Sequence, residues 1–146
     1  MTLYVDASAL VKRYVTERGS EAVTALMEDA AVVATSIVSR AEVGAALAGA
    51  VRRGVLDEPD GRRARLQFGQ EWADIARIPV TERLVALADT LAWEHGLRGY
   101  DAVQLASAAD WQDMVGLDVV LATFDRQLWN AAPRVGLRQW PPQLEE

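Results

Sequence analysis

Strand-like and helix-like segments alternate along this chain of 146 residues, and no two strand-like segments are joined by a tight turn. Parallel strands need a long crossover, usually a helix, whereas antiparallel strands can be joined by a short hairpin. The alternation therefore predicts a three-layer α/β/α fold with a mainly parallel central sheet. Because no repeat or long linker divides the chain, we expect a single domain over residues 1–140 and a frayed tail over 141–146.

Short apolar segments, several of them rich in β-branched residues, are expected to be the strands. They cover residues 2–5, 31–36, 76–80, 118–124 and a weaker segment within 136–140. Pro79 favours an edge position or a strand end for the third of them, because proline cannot donate to a sheet ladder.

Helices are predicted between the strands from apolar residues spaced three and four apart. They cover residues 7–15, 19–30, 38–54 and 82–96. A further helix follows a break at 57–60 and runs to about 74, another starts near 101, and a short helix follows 125. Ser39 and Glu42 have the spacing of a capping box, and Thr81 is expected to cap the helix that follows it.

The composition is that of an ordinary soluble globular protein, with 51% hydrophobic and 25% charged residues. No run approaches the roughly 20 apolar residues that span a bilayer, and no basic leader precedes an apolar stretch. We therefore expect a cytoplasmic protein without a membrane segment or signal peptide. The absence of cysteine excludes disulfides, thiolate metal sites and cysteine nucleophiles.

The formal net charge of −6 argues mildly against a large surface that coats nucleic acid. Any contact with RNA must then be local or assisted by a metal ion. Fourteen of the fifteen basic residues are arginines, and five of these fall within residues 52–65. That segment is either a solvated helical face or an RNA contact, and the sequence leaves both open.

Four acidic residues stand where the predicted topology could gather them. Asp6 directly follows the first strand, Asp125 lies at the end of the fourth, and Glu42 is in the first helical turn after the second. Asp101 starts a helix after a loop instead of following a strand, so the pattern supports it less. Sites in open parallel sheets form beyond the carboxyl ends of the strands. Each acid could also have a purely structural role, with the three aspartates as helix N-caps and Glu42 in the capping box.

Carboxylates held a few ångströms apart in a partly desolvated pocket repel one another, and a divalent cation would remove that repulsion. Oxygen ligands, with no cysteine and one histidine in the chain, favour Mg²⁺ or Mn²⁺ over zinc. Such an ion can polarise a phosphoryl oxygen and lower the pKa of a bound water, while a free carboxylate accepts the proton. The pattern thus predicts phosphate chemistry with one or two ions.

Four segments resemble, in order and spacing, the motifs of PIN-domain ribonucleases, and most of all the toxin subunits of VapBC-type toxin–antitoxin pairs. They are YVDASALVKRYVTERGSEAV, SIVSRAEVGAAL, GLRGYDAVQLASAA and VVLATFDRQLWNAAPRVGL, within residues 2–137. The resemblance implies a compact α/β/α domain whose acids bind Mg²⁺ or Mn²⁺ and cleave single-stranded RNA. It also implies a VapB-like antitoxin as the protein partner. The chain would form either a homodimer or a toxin–antitoxin hetero-oligomer, and a basic group of the antitoxin could compete with the metal.

By the same resemblance, the four acids of the family correspond to Asp6, Glu42, Asp101 and Asp125. Asp6 and Asp101 would be the most direct metal ligands, and the other two would complete the catalytic pocket. Two hydroxyl residues, Ser8 and Thr123, match positions that support the first and fourth acids. The chain departs from the family at Gln104, where the third motif commonly has histidine.

Other residues are weaker candidates. His95 lies next to Gly96 at a predicted helix end, where it is expected to interact with the helix dipole instead of acting in catalysis. Of the five tryptophans, Trp93 and Trp111 fall on helices with apolar periodicity and are expected in the core or an interface. A base-stacking role for a tryptophan stays open.

Two other functions are alternatives to a metal-dependent endoribonuclease. A phosphatase of the haloacid-dehalogenase type would need a second aspartate where this chain has Ser8 and a downstream lysine, but Lys12 is the only lysine. A non-catalytic module, whose acidic pocket recognises a basic partner, remains the alternative.

Overall fold

The computed structural model describes residues 1–145, and these form five strands and seven α-helices in alternation. The elements are β1 (Thr2–Val5), α1 (Ala7–Leu10), α2 (Ser20–Asp29), β2 (Val32–Ser36), α3 (Ser39–Arg52), α4 (Glu58–Glu71), β3 (Ala76–Ile78), α5 (Glu82–His95), α6 (Gly99–Val115), β4 (Val119–Ala122), α7 (Arg126–Ala131) and β5 (Arg138–Trp140). Short 3₁₀ turns follow α1, α4 and α7. No helix in the described chain is long and apolar enough to cross a membrane.

All strand pairs are parallel, and the sheet order is β3-β2-β1-β4-β5. The third strand therefore lies at an edge, as Pro79 predicted. The central strand β1 pairs with β2 through Leu3 and Val33 and with β4 through Leu3 and Val120. Because all five strands run in the same direction, their carboxyl ends share one edge of the sheet.

Helices cover both faces of the sheet, and alternate residues of β1 point to opposite faces. Leu3 and Val5 pack with the α1, α3 and α4 side, whereas Tyr4 packs with the α5, α6 and α7 side. All three side chains are fully buried. This arrangement confirms the expected three-layer α/β/α fold.

Candidate active site

Asp6 lies at the carboxyl end of β1 with only 3% of its surface exposed. Its Oδ1 accepts hydrogen bonds from the amide of Ala9 at 2.9 Å and from Ser8 Oγ at 2.7 Å. Thr123 Oγ1 donates to its Oδ2 at 2.6 Å. Asp6 is therefore the N-cap of α1, and both predicted supporting hydroxyls contact it. Since a carboxylate oxygen can accept about two hydrogen bonds, Oδ2 keeps one acceptor position free.

Glu42 is half-buried in the first turn of α3, where Gln104 of α6 contacts it. The Gln104 amide donates to Glu42 Oε1 at 3.4 Å and to Ser39 Oγ at 3.0 Å. On its other side, Tyr4 donates its hydroxyl to Gln104 Oε1 at 2.6 Å. Gln104 thus positions Glu42 from the buried layer below, and sequence reasoning had not assigned it that role.

The capping box predicted for Ser39 and Glu42 is wrong. Val38 precedes α3 in a helical conformation, and no side chain in the described part of the chain caps the helix start. The Ser39 hydroxyl instead lies 2.7 Å from that of Thr35, which donates to the carbonyl of Val5. Because Thr35 and Gln104 are buried, their polar atoms need partners, and Ser39 serves both.

Asp125 and Asp101 come from different elements and are joined by an arginine. Asp125 caps α7, since its Oδ1 accepts from the amide of Leu128 at 3.0 Å. Asp101 is the third residue of α6, whose N-cap position is Arg98, so the alternative role of Asp101 as an N-cap does not hold. The Arg98 guanidinium donates to Asp101 Oδ2 at 3.2 Å and to Asp125 Oδ2 at 3.3 Å.

The four carboxylates act on one another electrostatically. Burial raises the pKa of Asp6 to about 6, against hydrogen bonds from Thr123, Ala9 and Ser8, and the charge of Asp125 adds to the rise. Burial also raises the pKa of Glu42, with a further contribution from Asp101, and Gln104 opposes it. The pKa of Asp101 is raised by burial and then by Asp125, against the effect of Arg98. The sheet edge therefore gathers acids that gain from a nearby positive charge.

Mg²⁺ or Mn²⁺ suits this donor set, because the four acids offer oxygen ligands and their carboxylates repel one another. Asp6, Glu42, Asp101 and Asp125 are the groups that would hold the ion. Within residues 1–145, however, no three Asp, Glu or His side chains converge closely enough to hold a metal as they stand. Arg98 spans two of the acids in this state, so closing them around an ion requires side-chain movement.

Other candidates lie elsewhere or differ from expectation. Arg62 and Arg63 pair with Glu58 and Asp60 of their own helix, which supports a solvated face for this part of the segment 52–65. Trp111 is buried, but Trp93 is 90% exposed and does not belong to the core.

His95 occupies the last turn of α5, as expected. Within the described residues, its buried Nδ1 has no hydrogen-bond partner, and its Nε2 lies 3.9 Å from a carboxylate oxygen of Glu94. No contact links it to the four acids in this part of the chain. Its placement at the helix end agrees with the interaction with the helix dipole.

Comparison with known proteins identifies the family of this chain. A model described as PIN domain matches residues 3–133. Ribonuclease VapC45 of Mycobacterium tuberculosis (strain CDC 1551 / Oshkosh) is 38% identical over 143 residues, which cover 98% of this chain and 97% of the relative.

Solved structures share the fold at low sequence identity. A toxin–antitoxin complex from Klebsiella pneumoniae matches with a TM-score of 0.61 and 17% identity, covering 91% of this chain and 93% of its own. VapC20 of Mycobacterium tuberculosis, described as a sarcin-ricin loop cleaving toxin, matches with a TM-score of 0.65 and 18% identity, covering 89% and 95%. The family match, the full-length relative and the acids at the sheet edge agree, and the chain belongs to the PIN domain family, with VapC-type proteins as its relatives.

Proposed function

We propose that this protein is a Mg²⁺-dependent endoribonuclease that cleaves RNA phosphodiester bonds as the toxin of a toxin–antitoxin pair, with Mn²⁺ as a possible substitute. The observation that carries the proposal is the set of four carboxylates along one sheet edge, in a chain 38% identical to a ribonuclease over nearly its whole length. Composition alone does not distinguish a nuclease from a binding module, whereas mutually repelling acids at this edge favour a metal centre.

When bound, Mg²⁺ supplies polarisation of the phosphoryl oxygen and stabilisation of charge on the leaving oxygen. Asp6 and Asp101 are proposed as its most direct ligands, with Glu42 and Asp125 completing the pocket. Ser8 and Thr123 fix the Asp6 carboxylate by donating to both of its oxygens. Glu42, half-buried with a raised pKa, can accept the proton of the attacking water.

We propose a VapB-like antitoxin as the protein partner, in a toxin–antitoxin hetero-oligomer or beside a homodimer of this chain. The Klebsiella protein of the same fold was solved as a toxin–antitoxin complex, which supports this proposal. We place the activity in the cytoplasm, where its RNA substrates are. Co-purification with the product of a neighbouring reading frame tests the pairing, and a chain that is recovered alone would contradict it.

Asp6→Asn tests the catalytic proposal most simply, because asparagine can keep the cap on α1 while losing the charge that a metal needs. We expect RNA cleavage in Mg²⁺ to fall by at least about a hundredfold, the scale of removing a group that acts in the transition state. The matched control is Asp118→Asn, which changes an exposed acid before β4 and should keep wild-type activity. Full activity of the Asp6 variant would overturn the assignment.

The non-catalytic module is distinguished by metal binding in the absence of RNA. A ligand of the native state must raise the melting temperature in proportion to its occupancy. We expect millimolar Mg²⁺ or Mn²⁺ to stabilise the wild type and to have a much smaller effect on Asp6→Asn. No shift in the wild type would favour an acidic pocket that recognises a basic partner instead.

A further inference from the structure

Arg98 is the one cation in the described structure that joins two of the four site acids. It lies at the N-cap position of α6, and its side chain reaches back over the start of that helix. Its Nε is 3.2 Å from Asp101 Oδ2 and its Nη2 is 3.3 Å from Asp125 Oδ2. The planar guanidinium fork suits this arrangement, because two nitrogens can point at two carboxylates at once.

The Arg98 bridge offsets a repulsion that the fold itself creates. Asp101 and Asp125 have side-chain exposures of only 19% and 23%, so water screens their charges incompletely. The charge of Asp125 raises the pKa of Asp101 after burial, and Arg98 lowers it. The cation therefore takes the place that the carboxylates would otherwise offer to a metal ion.

The bridge is also easy to break. The Arg98 side chain is 77% exposed, and ion pairs of exposed side chains are weak. A divalent ion brings twice the charge to the same oxygens and is not tied to a flexible stem. Displacing Arg98 is thus within reach of ordinary metal affinities.

We propose that Arg98 is a displaceable internal counter-ion, which neutralises Asp101 and Asp125 in the metal-free protein and, once a metal replaces it, binds a phosphate of the RNA beside Asp125. The inference rests on the proposed function, since it assigns a role at the same site. It adds to the four acids a basic residue that competes with the metal and then contacts the substrate.

The space around Asp125 fits the second half of the inference. A shallow cavity of about 390 Å³ lies there, lined by Gly96, Arg98, Asp125, Arg126 and Gln127. Two arginines line it with the carboxylate, and within residues 1–145 the second of them, Arg126, donates only to the carbonyl of Leu144, at 3.1 Å. Guanidinium groups bind phosphate oxygens with paired hydrogen bonds. An arginine released from the acids therefore lines a space large enough to admit a phosphate group.

Metal titration of Arg98→Gln tests the first half without any assay of activity. Mn²⁺ binding is measured by calorimetry for the wild type, for Arg98→Gln and for Arg83→Gln. Arg83 is a matched control, because it is 69% exposed and pairs at 2.8 Å with Asp110, a carboxylate outside the cluster. Both variants change the net charge equally.

Removing a competing cation of this strength should tighten Mn²⁺ binding about threefold to tenfold in Arg98→Gln and leave Arg83→Gln near the wild type. Equal affinity in all three proteins, or weaker binding in Arg98→Gln, would overturn the counter-ion role alone. If none of the three binds Mn²⁺, the proposed metal-dependent function fails with it, so the two failures are distinct.

Steady-state cleavage of a short single-stranded RNA at saturating Mg²⁺ tests the second half. Because Arg98 would bind substrate but no metal under these conditions, we expect KM to rise several-fold with a smaller change in kcat. The slope of RNA affinity against salt concentration, on logarithmic axes, should also decrease by the amount expected for about one lost phosphate contact. An unchanged KM, with tighter metal binding, would restrict Arg98 to the counter-ion role and overturn the phosphate contact.

Discussion

Burial and hydrogen bonding act in opposite directions on the carboxylate of Asp6. Three donors favour its charged form, yet burial outweighs them and raises the pKa to about 6. At neutral pH the metal-free protein therefore holds an ionised carboxylate in an environment that disfavours it. A protein can tolerate this strain where a bound cation relieves it, which is one reason that perturbed acids cluster at functional sites.

This strain gives a pH dependence whose sign is fixed. The folded-state pKa of Asp6 lies above its ordinary value of 3.8, so the folded protein holds the proton more tightly than the unfolded chain. The Asp6 carboxyl therefore contributes fully to the free energy of unfolding below about pH 4, and this contribution is lost as the pH rises through 6. In EDTA at pH 7.5, we expect Asp6→Asn to be more stable than the wild type by roughly 1–3 kcal/mol, since each pKa unit corresponds to about 1.4 kcal/mol.

Urea unfolding in EDTA between pH 4.5 and 7.5 measures this difference. The wild type should lose stability across that range more steeply than the Asp6 variant. Asp118→Asn, which removes an exposed acid, should follow the wild-type profile. If the Asp6 variant is less stable than the wild type at pH 7.5, burial does not disfavour the ionised Asp6 carboxylate in the folded protein.

Gln104 makes a second prediction at the scale of a single residue. It is 2% exposed, accepts from Tyr4 and donates to Ser39 and Glu42. Gln104→Leu keeps the approximate volume but leaves buried polar partners unsatisfied, which costs about 1–3 kcal/mol.

Chemical unfolding of Gln104→Leu beside Gln67→Leu measures the effect. Gln67 donates to Glu71 on an exposed helix surface, so its replacement should change the unfolding free energy by less than about 0.5 kcal/mol. Equal stability of the two variants would show that the buried network contributes nothing.

Residue patterns predicted the caps at Asp6, Thr81 and Asp125 but not the contacts between distant segments. Asp6 and Asp125 follow strands, and each caps its helix as the local sequence indicated. Arg98 was missed because a surface arginine in a loop has no local signal, and its two carboxylates are 3 and 27 residues away. The capping box does not form at Ser39 because its hydroxyl contacts the buried hydroxyl of Thr35 in β2 and the side-chain amide of Gln104 in α6 instead.

The elements position the site through the ends of helices and strands. Three of the acids follow β1, β2 and β4, whereas Asp101 lies in the first turn of α6, which comes after α5. The α5 start is fixed by Thr81, which accepts from the amide of Leu84 at 3.1 Å. Leu84 is 1% exposed, so this cap also anchors the helix to the core.

Thr81→Ala should therefore destabilise the protein by about 1 kcal/mol, the usual loss for an N-cap. Thr90→Ala on the same helix is the control, because its hydroxyl is exposed and makes only a long bond of 3.4 Å to Ala86. Thermal unfolding of both variants checks the difference. An equal or larger loss at Thr90 would show that the cap is not what stabilises the start of α5.

The strand-and-helix order could be predicted because periodicity is local, but element ends could not. The first helix was expected over 7–15, yet α1 ends at Leu10 and continues as a 3₁₀ turn through Arg13. The break expected at 57–60 contains the start of α4, because Asp57 caps that helix and proline is tolerated in its first turn.

At the scale of the whole molecule, the net charge of −6 and the acidic site both repel RNA. Screening shortens this repulsion to about 8 Å at physiological salt, so contacts near the site decide binding. A divalent metal on the acids, together with the arginines at their rim, would neutralise most of this local negative charge. We therefore predict a nuclease whose binding to RNA depends on metal at the site.

Sequencing of RNA 5′ ends in cells after brief expression of the wild type or Asp6→Asn tests the central claim most directly. Every RNA is then offered as a substrate, and cleavage sites appear as new ends. We predict new 5′ ends at defined positions with the wild type and their loss with the Asp6 variant, when both proteins accumulate equally. The same new ends in both samples, or none in either, would contradict the account.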